Sequence, residues 1–366
     1  MAASRCRYGC QSGMRRRAMA PLEPVVDPQN AGAVPEFIRL INNGSMSQAA
    51  CVAAELGLAD LLASGPKRGD ELAIATGCHH PSLHRLLRAL ATLNICCEGE
   101  DGAFSLTQLG SLLRSDAPIS LRSWAVFCGK HLWPLWGNLL HSVKTGESAR
   151  KLLGQSACFD DLERDEQAAL IFNRAMAELT RLVANEVLHL YSFDGIPRLM
   201  DVGGGYGALL AAVLQSYPEM TGVLLDLPHA IEGARRQMAT AGLTQRCEFI
   251  AGNFFDSVPD RADAYLLKAV LHDWDDENCG VILRNCRRAV SPNGRILLIE
   301  RVLPTRFESC WLHHAIARMD LTALVALDGR ERTAAEFSDL LDAAGFQIAR
   351  VIQTSLEYSI IEAMPR

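Results

Sequence analysis

The stretch Asp201–Ala208 reads DVGGGYGA and decides the fold, because it joins an apolar strand to a helix. The spacing of apolar residues predicts the strand over 199–202 and the helix over 208–216. Glycines at such a junction let the backbone turn sharply and approach a ligand closely. We therefore expect the first strand–turn–helix unit of an α/β sheet, with a binding site at the turn.

The chain from residue 196 onward alternates apolar runs with helical patterns. Further strands are predicted over 223–225, 247–250, 264–270 and 295–302, and further helices over 231–241 and 275–290. Strands that alternate with helices require a parallel sheet covered on both faces. Thr333 and Glu336 form a capping box that begins another helix, and Gly345 is placed to end it. Strands over 347–352 and 358–362 then follow with only a short turn between them, so they must be antiparallel.

The glycine turn alone fits two cofactors. The pattern G-x-G-x-x-A from residue 203 matches the dinucleotide fingerprint, while D-x-G-x-G-x-G from residue 201 is the methyltransferase form. Both cofactors contain adenosine, and both use an acid at the end of the next strand for the ribose hydroxyls. Asp226 occupies that position. The turn therefore predicts an adenosine cofactor and leaves open whether it is a nicotinamide dinucleotide or S-adenosylmethionine.

His272 lies where the fourth predicted strand ends, in the segment KAVLHDWDD of residues 268–276. This is the carboxyl edge of the sheet, where ligands of open α/β sheets bind. A neutral imidazole, with a pKa of about 6.5, suits proton abstraction near neutral pH. His272 is therefore a candidate catalytic residue, and a purely structural role, which is the usual one for a lone histidine, stays open.

The order helix, turn, helix, hairpin in residues 36–115 is that of a winged helix. Helices are predicted over 36–62 and 81–90, and the turn at 99–102 suits a β-hairpin. A duplex-reading helix needs a basic face for phosphate contacts. Residues 36–115 carry six basic residues against eight acidic ones, so packing against another protein chain is favoured over DNA binding.

Residues 118–195 are predicted to be helical and carry a cluster of large apolar side chains. The side chains that could contact a ligand are Trp124, Phe127, Trp133, Phe172 and Met176, together with Met319 from the later part of the chain. Aromatic and Met side chains suit the faces of flat, apolar ring systems. The cluster forms either a core or the wall of a ligand pocket, and the sequence leaves both open.

Composition narrows the class of protein. The 366 residues carry a net charge of −6, which argues against general attraction to nucleic acid or anionic membranes. No run of eighteen apolar residues predicts a membrane span, and none of the twelve cysteines forms a Cys-x-x-Cys pair. We expect a cytoplasmic protein with reduced cysteines. The Arg-rich first residues are expected to be a disordered leader outside the fold.

Five ordered motifs resemble those of the caffeic-acid-type small-molecule O-methyltransferases of plants and their bacterial relatives in antibiotic biosynthesis. The matching stretches are Asp201–Gly207, Leu225–Pro228, Lys268 with His272–Trp274, Ile299–Glu300 with Leu303–Pro304, and Arg330–Thr333. The winged-helix start and Met319–Leu321 also fit, so the likeness covers nearly everything after residue 36. The resemblance implies a Rossmann-like class I methyltransferase sheet, parallel with one antiparallel terminal strand. It also implies S-adenosylmethionine as cofactor, S-adenosylhomocysteine as product and no metal.

The resemblance also implies roles for residues. The catalytic set is His272 as general base with Glu300 and Glu331 flanking its imidazole. The residues expected to bind the cofactor are Asp201, Gly203, Gly205, Asp226, Leu227, Asn253, Phe254 and Lys268. The residues expected to contact the substrate are Trp124, Phe127, Trp133, Phe172, Met176, Asp273 and Met319. Asn253 departs from the family, which usually has Asp near the adenine, so weaker cofactor binding is expected.

Four segments follow from this resemblance. We expect the leader over 1–30, a winged-helix-like dimerisation domain over 31–117, substrate-pocket helices over 118–195 and the catalytic domain over 196–366. The expected partners are a small aromatic substrate and a second copy of the chain, which forms a homodimer through the N-terminal domain.

The predicted reaction is methylation of a phenolic hydroxyl on a flat fused-ring secondary metabolite, such as a hydroxylated phenazine or an aromatic polyketide. Three alternatives stay open. A relative of the same fold could have diverged to hydroxylation or decarboxylation, and an NAD(P)-dependent oxidoreductase would share the glycine turn. A winged-helix regulator that senses adenosylmethionine is the third, although it lacks the basic face that DNA binding needs.

Overall fold

The computed structural model of the chain describes residues 32–155 and 158–366, so the predicted leader lies outside the described residues. The described residues fall into two units, one that ends at Ser47 and one that begins at Gln48. Helix α1 (Ala33–Glu55) belongs to the first unit up to Ser47 and to the second from Gln48. Everything described below lies in the second unit. Among the described helices, none is both long and apolar enough to cross a membrane.

The helices of the second unit alternate with its strands from residue 198 onward. The helices after α1 are α2 (Leu58–Leu62), α3 (Gly69–Thr76), α4 (His80–Thr92), α5 (Arg122–Phe127), α6 (Trp133–Trp136), α7 (Leu139–Thr145), α8 (Ala149–Leu152), α9 (Cys158–Arg164), α10 (Glu166–Leu190), α11 (Ala208–Ser216), α12 (Pro228–Thr240), α13 (Asp276–Ala289), α14 (Trp311–Ala326) and α15 (Ala334–Ala343). The strands are β1 (Lys67–Arg68), β2 (Cys96–Glu98), β3 (Ala103–Leu106), β4 (Arg198–Val202), β5 (Thr221–Asp226), β6 (Cys247–Ala251), β7 (Ala264–Lys268), β8 (Arg295–Glu300), β9 (Val302–Leu303), β10 (Arg332–Thr333), β11 (Phe346–Gln353) and β12 (Ser359–Pro365).

The main sheet has seven strands in the order β11-β12-β8-β7-β4-β5-β6. Strand β12 runs antiparallel to both of its neighbours, and the pairings among β4 to β8 are parallel. This confirms the predicted α/β class, a mostly parallel sheet with one antiparallel strand. In the parallel part, the carboxyl ends of β4, β5 and β7 lie side by side, which brings residues far apart in the sequence to one edge.

The central strands β4, β5, β7 and β8 are buried on both faces, as a parallel sheet between helices requires. On one face, Leu224, Leu266 and Leu297 pack against α10 and α11 within one hydrophobic core. On the other face, Tyr265 and Leu298 pack within a second core that includes residues of α13 and α15. The near-continuous apolar runs read from the sequence follow from this two-sided burial.

Two predicted strands end earlier than expected. The strand over 264–270 stops at Lys268, because Ala269 adopts a left-handed conformation with φ of 54°. The strand over 295–302 breaks between Glu300 and Val302, where a separate two-stranded pairing of β9 with β10 begins. Both breaks lie at the edge of the sheet that carries the candidate catalytic residues. The local departures from strand geometry therefore occur where side chains must be turned toward a site.

The N-terminal part of the second unit confirms the winged-helix order. Helices α2 to α4 precede the hairpin β2–β3, and β1, which lies between α2 and α3, completes a three-stranded antiparallel sheet in the order β1-β3-β2. Leu72, Leu87 and Leu90 of the helices pack with Phe104 of β3 in one core. The hairpin turn predicted at 99–102 joins β2 to β3.

The helical region after this subdomain is also as predicted, with one irregularity. A π-helical turn over Cys128–Leu132 joins α5 to α6. Helix α10, which has 25 residues, is capped by Asp165, whose carboxylate accepts a hydrogen bond from the Ala168 amide. Its buried face packs against α5 and α11, so α10 links the aromatic helices to the glycine turn.

We predict that Leu298→Ala lowers the free energy of unfolding by about 2–5 kcal/mol, because it leaves a cavity in the centre of the sheet. Leu298 is fully buried in β8. Urea unfolding followed by circular dichroism measures this loss. Ile74→Ala is the control, since Ile74 is 84 % exposed and its loss is expected to change stability by less than about 0.5 kcal/mol. Equal losses in the two variants would contradict the described core.

Candidate active site

A cavity of about 760 Å³ opens at the carboxyl edge of the sheet, between the glycine turn and helices α5, α9 and α10. The predicted site residues that line it are Asp201, Gly203, Gly205, Asp226, Leu227, Asn253, Phe254, Lys268, His272, Asp273, Trp124, Phe127, Phe172, Met176 and Met319. Glu300 and Glu331 lie behind His272, fully buried. The predicted cofactor, catalytic and substrate residues therefore surround one cavity, apart from Trp133.

The glycine turn takes backbone conformations that other residues rarely adopt. The φ angles of Gly203, Gly205 and Gly207 are 71°, 58° and 74°. A Cβ on Gly203 would lie 3.0 Å from Val270, whereas one on Gly205 would meet only Asn173, at 3.9 Å. Side chains other than hydrogen would strain the turn and narrow the cavity beside it.

Asp226 stands at the end of β5 and closes the turn from the side. Its carboxylate accepts hydrogen bonds from the amides of Gly205 and Leu227, both at 2.6 Å. Asp201 is buried beneath it, and this burial, together with the charge of Asp226, raises the pKa of Asp201 to about 7. The two acids make this end of the cavity suited to hydroxyl or ammonium groups.

Lys268 ends β7 inside the cavity. Its ammonium donates to the Thr180 hydroxyl at 3.1 Å and lies 5.5 Å from the centre of the Tyr358 ring. Among the described residues, no carboxylate lies within 4 Å of it. Burial and the charge of Arg301 lower the pKa of Lys268 to about 8, which leaves it charged at neutral pH. A half-buried ammonium with no carboxylate in direct contact favours binding of an anionic ligand group.

The loop after β6 carries Asn253 and Phe254. The Asn253 side-chain oxygen accepts from the Phe255 amide at 2.9 Å, which fixes the turn. Asn285 of α13, which the sequence did not single out, donates from its side-chain nitrogen to the carbonyls of Phe254 and Phe255, at 2.7 and 2.8 Å. This loop is therefore held from both sides, with Asn253 exposed and facing the cavity.

His272 lies in a short 3-10 turn, Leu271–Asp273, directly after β7. Its Nδ1 is 3.0 Å from Glu300 Oε2, and its Nε2 is 3.1 Å from Asp273 Oδ1. The other oxygen of Glu300 accepts from the amides of Val270 and Leu271, at 2.9 and 2.8 Å. One buried carboxylate therefore fixes both the imidazole and the backbone that carries it.

The surroundings of His272 favour the imidazolium. Burial alone would lower the pKa of His272, but the negative charges of Asp273, Glu331 and Glu300 outweigh it and raise the pKa well above its ordinary value. The imidazole is therefore neutral at neutral pH, as expected, only when a positive charge offsets part of the negative charge of these carboxylates. The same carboxylates stabilise the cation that forms when His272 accepts a proton.

Glu331 was expected to flank the imidazole, and a carboxylate oxygen of Glu331 lies within 4.8 Å of a ring nitrogen of His272. Its carboxylate lies 3.3 Å from Arg301 Nη1, and no hydrogen bond to His272 is described. Arg301 is buried and also donates to Glu357 and to the Tyr358 hydroxyl, at 3.1 and 2.7 Å. Glu331 therefore acts on His272 through its charge, since Arg301 binds its oxygen. Sequence patterns missed Arg301 because its partners lie 30 or more positions away.

The aromatic side chains form a continuous wall. Phe127 packs against Trp124 and Phe172, with ring centres 6.0 and 5.6 Å apart. Phe159 of α9 extends this wall by stacking on Trp274, at 5.6 Å and an interplanar angle of 22°. Phe159 and Trp274 were not predicted to line the site. The wall presents ring faces and edges to the same cavity as His272.

Trp133 was expected in this wall and is not part of it. The Trp133 side chain is 44 % exposed and does not line the cavity. The inward positions of this helical segment are Leu132 and Leu135, which are buried and do line it. At 3.6 residues per turn, Trp133 projects from a different face of the helix. His131, which stacks on Phe127 at 5.4 Å, is the polar residue that the sequence analysis overlooked here.

The described residues contain one group of metal-type ligands, formed by His272, Glu300 and Glu331, whose ligand atoms lie within 4.8 Å of one another. The oxygens of Glu300 already accept hydrogen bonds from two amides and the imidazole, and the guanidinium of Arg301 pairs with Glu331. A buried guanidinium occupies the place of a positive charge in this cluster. The arrangement suits proton transfer at an imidazole better than coordination of a cation.

Comparison with known families agrees with this geometry. A family model of an O-methyltransferase domain matches residues 136–347, and one of an O-methyltransferase dimerisation domain matches residues 38–116. The chain belongs to the O-methyltransferase family. It is an S-adenosylmethionine-dependent methyltransferase, so the dinucleotide interpretation of the glycine turn falls away.

Relatives with assigned activities cover most of the chain. The phenazine O-methyltransferase PhzM of Lysobacter antibioticus is 41 % identical over 93 % of this chain and 100 % of its own length. The mitomycin biosynthesis 6-O-methyltransferase of Streptomyces lavendulae is 37 % identical over 88 % of this chain and 93 % of its own. A phenazine-1-carboxylate N-methyltransferase of Pseudomonas aeruginosa is 30 % identical over 91 % and 98 %. The methyltransferase is therefore of the antibiotic-tailoring type.

Solved structures share the fold. The crystal structure of LaPhzM superimposes with a TM-score of 0.88 and 41 % identity, covering 91 % of this chain and 99 % of that one. The O-methyltransferase NcsB1 from neocarzinostatin biosynthesis, in complex with S-adenosylmethionine and 2-hydroxy-5-methyl naphthoic acid, gives a TM-score of 0.74 at 32 % identity, covering 87 % and 96 %. The predicted class I methyltransferase fold is confirmed.

We predict that Asp273→Asn lowers the pKa of His272, because it removes a negative charge 3.1 Å from Nε2. Titration of histidine ring protons by NMR measures this shift, with His272→Gln used to assign the signal. Glu277→Gln is the control, since it removes one acid from the exposed first turn of α13. An unchanged pKa in Asp273→Asn would show that Asp273 does not control the protonation of His272.

Proposed function

We propose that this enzyme transfers a methyl group from S-adenosylmethionine to a phenolic hydroxyl of a flat fused-ring secondary metabolite, a hydroxylated phenazine or an aromatic polyketide. His272 is the general base in this proposal. The observation that carries it is the position of His272, which lines the same cavity as the aromatic wall and Lys268 and whose Nδ1 is fixed by a buried carboxylate.

The cavity residues fit the cofactor. Asp226 at the end of β5 suits the ribose hydroxyls, with Leu227 beside it, and Asn253 and Phe254 suit the adenine. The unpaired ammonium of Lys268 suits the carboxylate of the methionine part, while the space beside Gly203 and Gly205 admits the chain of the ligand. Asp201 supports the turn from below. When bound, S-adenosylmethionine supplies an electrophilic methyl group on a sulfonium.

The residues of the chain supply positioning and proton removal. Holding an oxygen close to the methyl carbon provides much of the rate acceleration in such displacements. A phenol has a pKa of about 10, so its proton must leave as the oxygen attacks. In its neutral form, His272 accepts this proton at Nε2, and Asp273 and Glu300 stabilise the resulting imidazolium on its two sides. Glu331 adds negative charge from behind.

The substrate side of the cavity supports a flat ring system. The faces of Trp124, Phe127 and Phe172 line it, and Met176 and Met319 contribute adaptable thioethers. The relatives named above include one phenazine O-methyltransferase, which favours a phenazine-type acceptor. The N-methyltransferase relative makes transfer to a ring nitrogen the second candidate.

The assembly is proposed to be a cytoplasmic homodimer. The match of the dimerisation-domain model to residues 38–116 supports pairing through the predicted domain over 31–117. The remaining proposed segments are the pocket helices over 118–195 and the catalytic domain over 196–366. The nine cysteines whose side chains the structure describes are free thiols, which agrees with a reducing compartment.

The first test combines binding with turnover. Calorimetric titration with S-adenosylhomocysteine is expected to show saturable binding, with NADH as the negative comparison. Labelled S-adenosylmethionine with 1-hydroxyphenazine is expected to give the O-methyl product. His272→Ala should reduce turnover by about 10²- to 10⁴-fold without weakening S-adenosylhomocysteine binding, because only the base is lost. The control is His189→Ala, which changes an exposed histidine at the end of α10.

Each other outcome rejects part of the proposal. Turnover retained in His272→Ala removes His272 as the base. An N-methylated product makes ring nitrogen the acceptor, and a hydroxylated or decarboxylated product supports the diverged alternative. Binding of NADH without S-adenosylhomocysteine overturns the cofactor assignment.

Asn253→Asp is predicted to tighten S-adenosylhomocysteine binding, because a carboxylate accepts hydrogen bonds more strongly than an amide oxygen. The exposed position of Asn253 lets the new charge stay hydrated, and the Phe255 amide can still donate to it. Calorimetry measures the dissociation constant. Asp256→Asn, in the same loop, is the control for a general charge effect. A weaker or unchanged constant in Asn253→Asp would mean that the departure from the family is compensated elsewhere.

A further inference from the structure

Arg332 is buried without exposed surface, although it carries a permanent charge. Its Nη1 donates to the Leu271 carbonyl at 2.9 Å, and its Nη2 donates to the Trp274 carbonyl at 2.7 Å. These two carbonyls bracket His272 and Asp273. We propose that Arg332 is a positioning residue. It fixes the position of the turn that carries the general base relative to the bound substrate.

The turn is held on its other side by Glu300. Glu300 accepts hydrogen bonds from the amides of Val270 and Leu271, while Arg332 donates to the carbonyls of Leu271 and Trp274. The backbone of the turn is therefore bound by an anion through its N–H groups and by a cation through its C=O groups. Because β7 has already ended at Lys268, these N–H and C=O groups do not pair with a neighbouring strand of the sheet.

The segment that delivers Arg332 packs directly against the turn. A Cβ on Gly329 would lie 2.1 Å from the His272 carbonyl oxygen and 2.4 Å from the Asp273 carbonyl carbon. Only glycine permits this approach of one backbone to another. Pairing of Arg332 with Val302 in the parallel strands β9 and β10 then fixes where the guanidinium begins. The position of the turn thus depends on the segment 329–332.

Arginine is chemically suited to this role. Its planar fork can donate from separate nitrogens to two carbonyls at once, whereas the three N–H donors of lysine share one nitrogen. The Nε of Arg332 donates to Asp276 Oδ1 at 2.9 Å, and this carboxylate, which is 55 % exposed, also pairs with Arg330 at 3.0 Å. The exposed carboxylate of Asp276 therefore neutralises the buried positive charge of Arg332. Arg330 shares that carboxylate but is not described as donating to the turn.

The inference rests on the proposed role of His272 as base. A displacement of the turn by about 1 Å would misdirect Nε2 without altering the glycine turn or Lys268, and such displacements cost about 10²-fold in rate. Loss of Arg332 should therefore appear in kcat and leave cofactor binding intact.

The experiment compares Arg332→Lys with Arg330→Lys in the full-length chain. With 1-hydroxyphenazine as probe, Arg332→Lys is expected to lower kcat by about 10- to 100-fold, with KM and S-adenosylhomocysteine affinity within about twofold of the wild type. The loss should shrink as pH rises from about 7 to about 10, because solvent then ionises the phenol without a base. Arg330→Lys should keep kcat within about twofold of the wild type.

Hydrogen exchange measured by mass spectrometry provides a readout other than activity. With S-adenosylhomocysteine bound, amides of residues 270–274 should exchange faster in Arg332→Lys, while those of β4 and β5 stay unchanged. If Arg332→Lys does not fold, Asp276→Ala removes the anchor of Nε from an exposed position and should give a smaller change in the same direction.

The outcomes separate this inference from the proposed function. A loss of kcat that is equal at all pH values, or equal in Arg330→Lys, overturns the positioning role. So does unchanged exchange in residues 270–274. If the wild type transfers no methyl group to 1-hydroxyphenazine but Arg332→Lys still speeds exchange in residues 270–274, the positioning role of Arg332 is supported and the proposed substrate is rejected.

Discussion

The rest of the site depends on the hydrogen bonds that the carboxylate of Glu300 accepts. This carboxylate is fully buried, and a buried charge is costly unless it is paired and hydrogen-bonded. Two backbone amides and the His272 imidazole meet that requirement, and burial is outweighed by these partners, so the pKa of Glu300 is lowered. The acid therefore has one stable arrangement, and that arrangement fixes the orientation of the imidazole.

The cavity joins two surfaces of opposite character at this point. On one side lie backbone turns and charged groups, including Asp226 and Lys268, which suit a polar, charged cofactor. On the other side lie the rings of Phe127 and Phe172, which suit an apolar one. Both surfaces line the cavity that contains His272, and the surrounding carboxylates control the protonation of its imidazole. The proposed methyl transfer from a charged donor to a flat acceptor rests on that juxtaposition.

Periodic and local signals allowed much of this to be predicted. The alternation of apolar runs gave the sheet, and the capping box at Thr333 forms as expected, with both hydrogen bonds present. Family motifs led to His272 and Glu300. Trp133 was misassigned because a cluster in sequence does not specify which helical face each member occupies. Arg301 and Asn285 were missed since their partners are distant along the chain, and neither periodicity nor spacing records such pairs.

Strand β12 has a consequence for the order in which the molecule can be built. It lies between β11 and β8, and its Ser359 pairs with Glu300 itself. During synthesis on the ribosome, β8 therefore presents an open edge until residues 359–365 have emerged. Long-range pairing of this kind forms late and slowly. The nascent chain can fold its winged helix early, but the strand that bears the central acid stays unfinished, and prone to pairing with other chains, until β12 arrives.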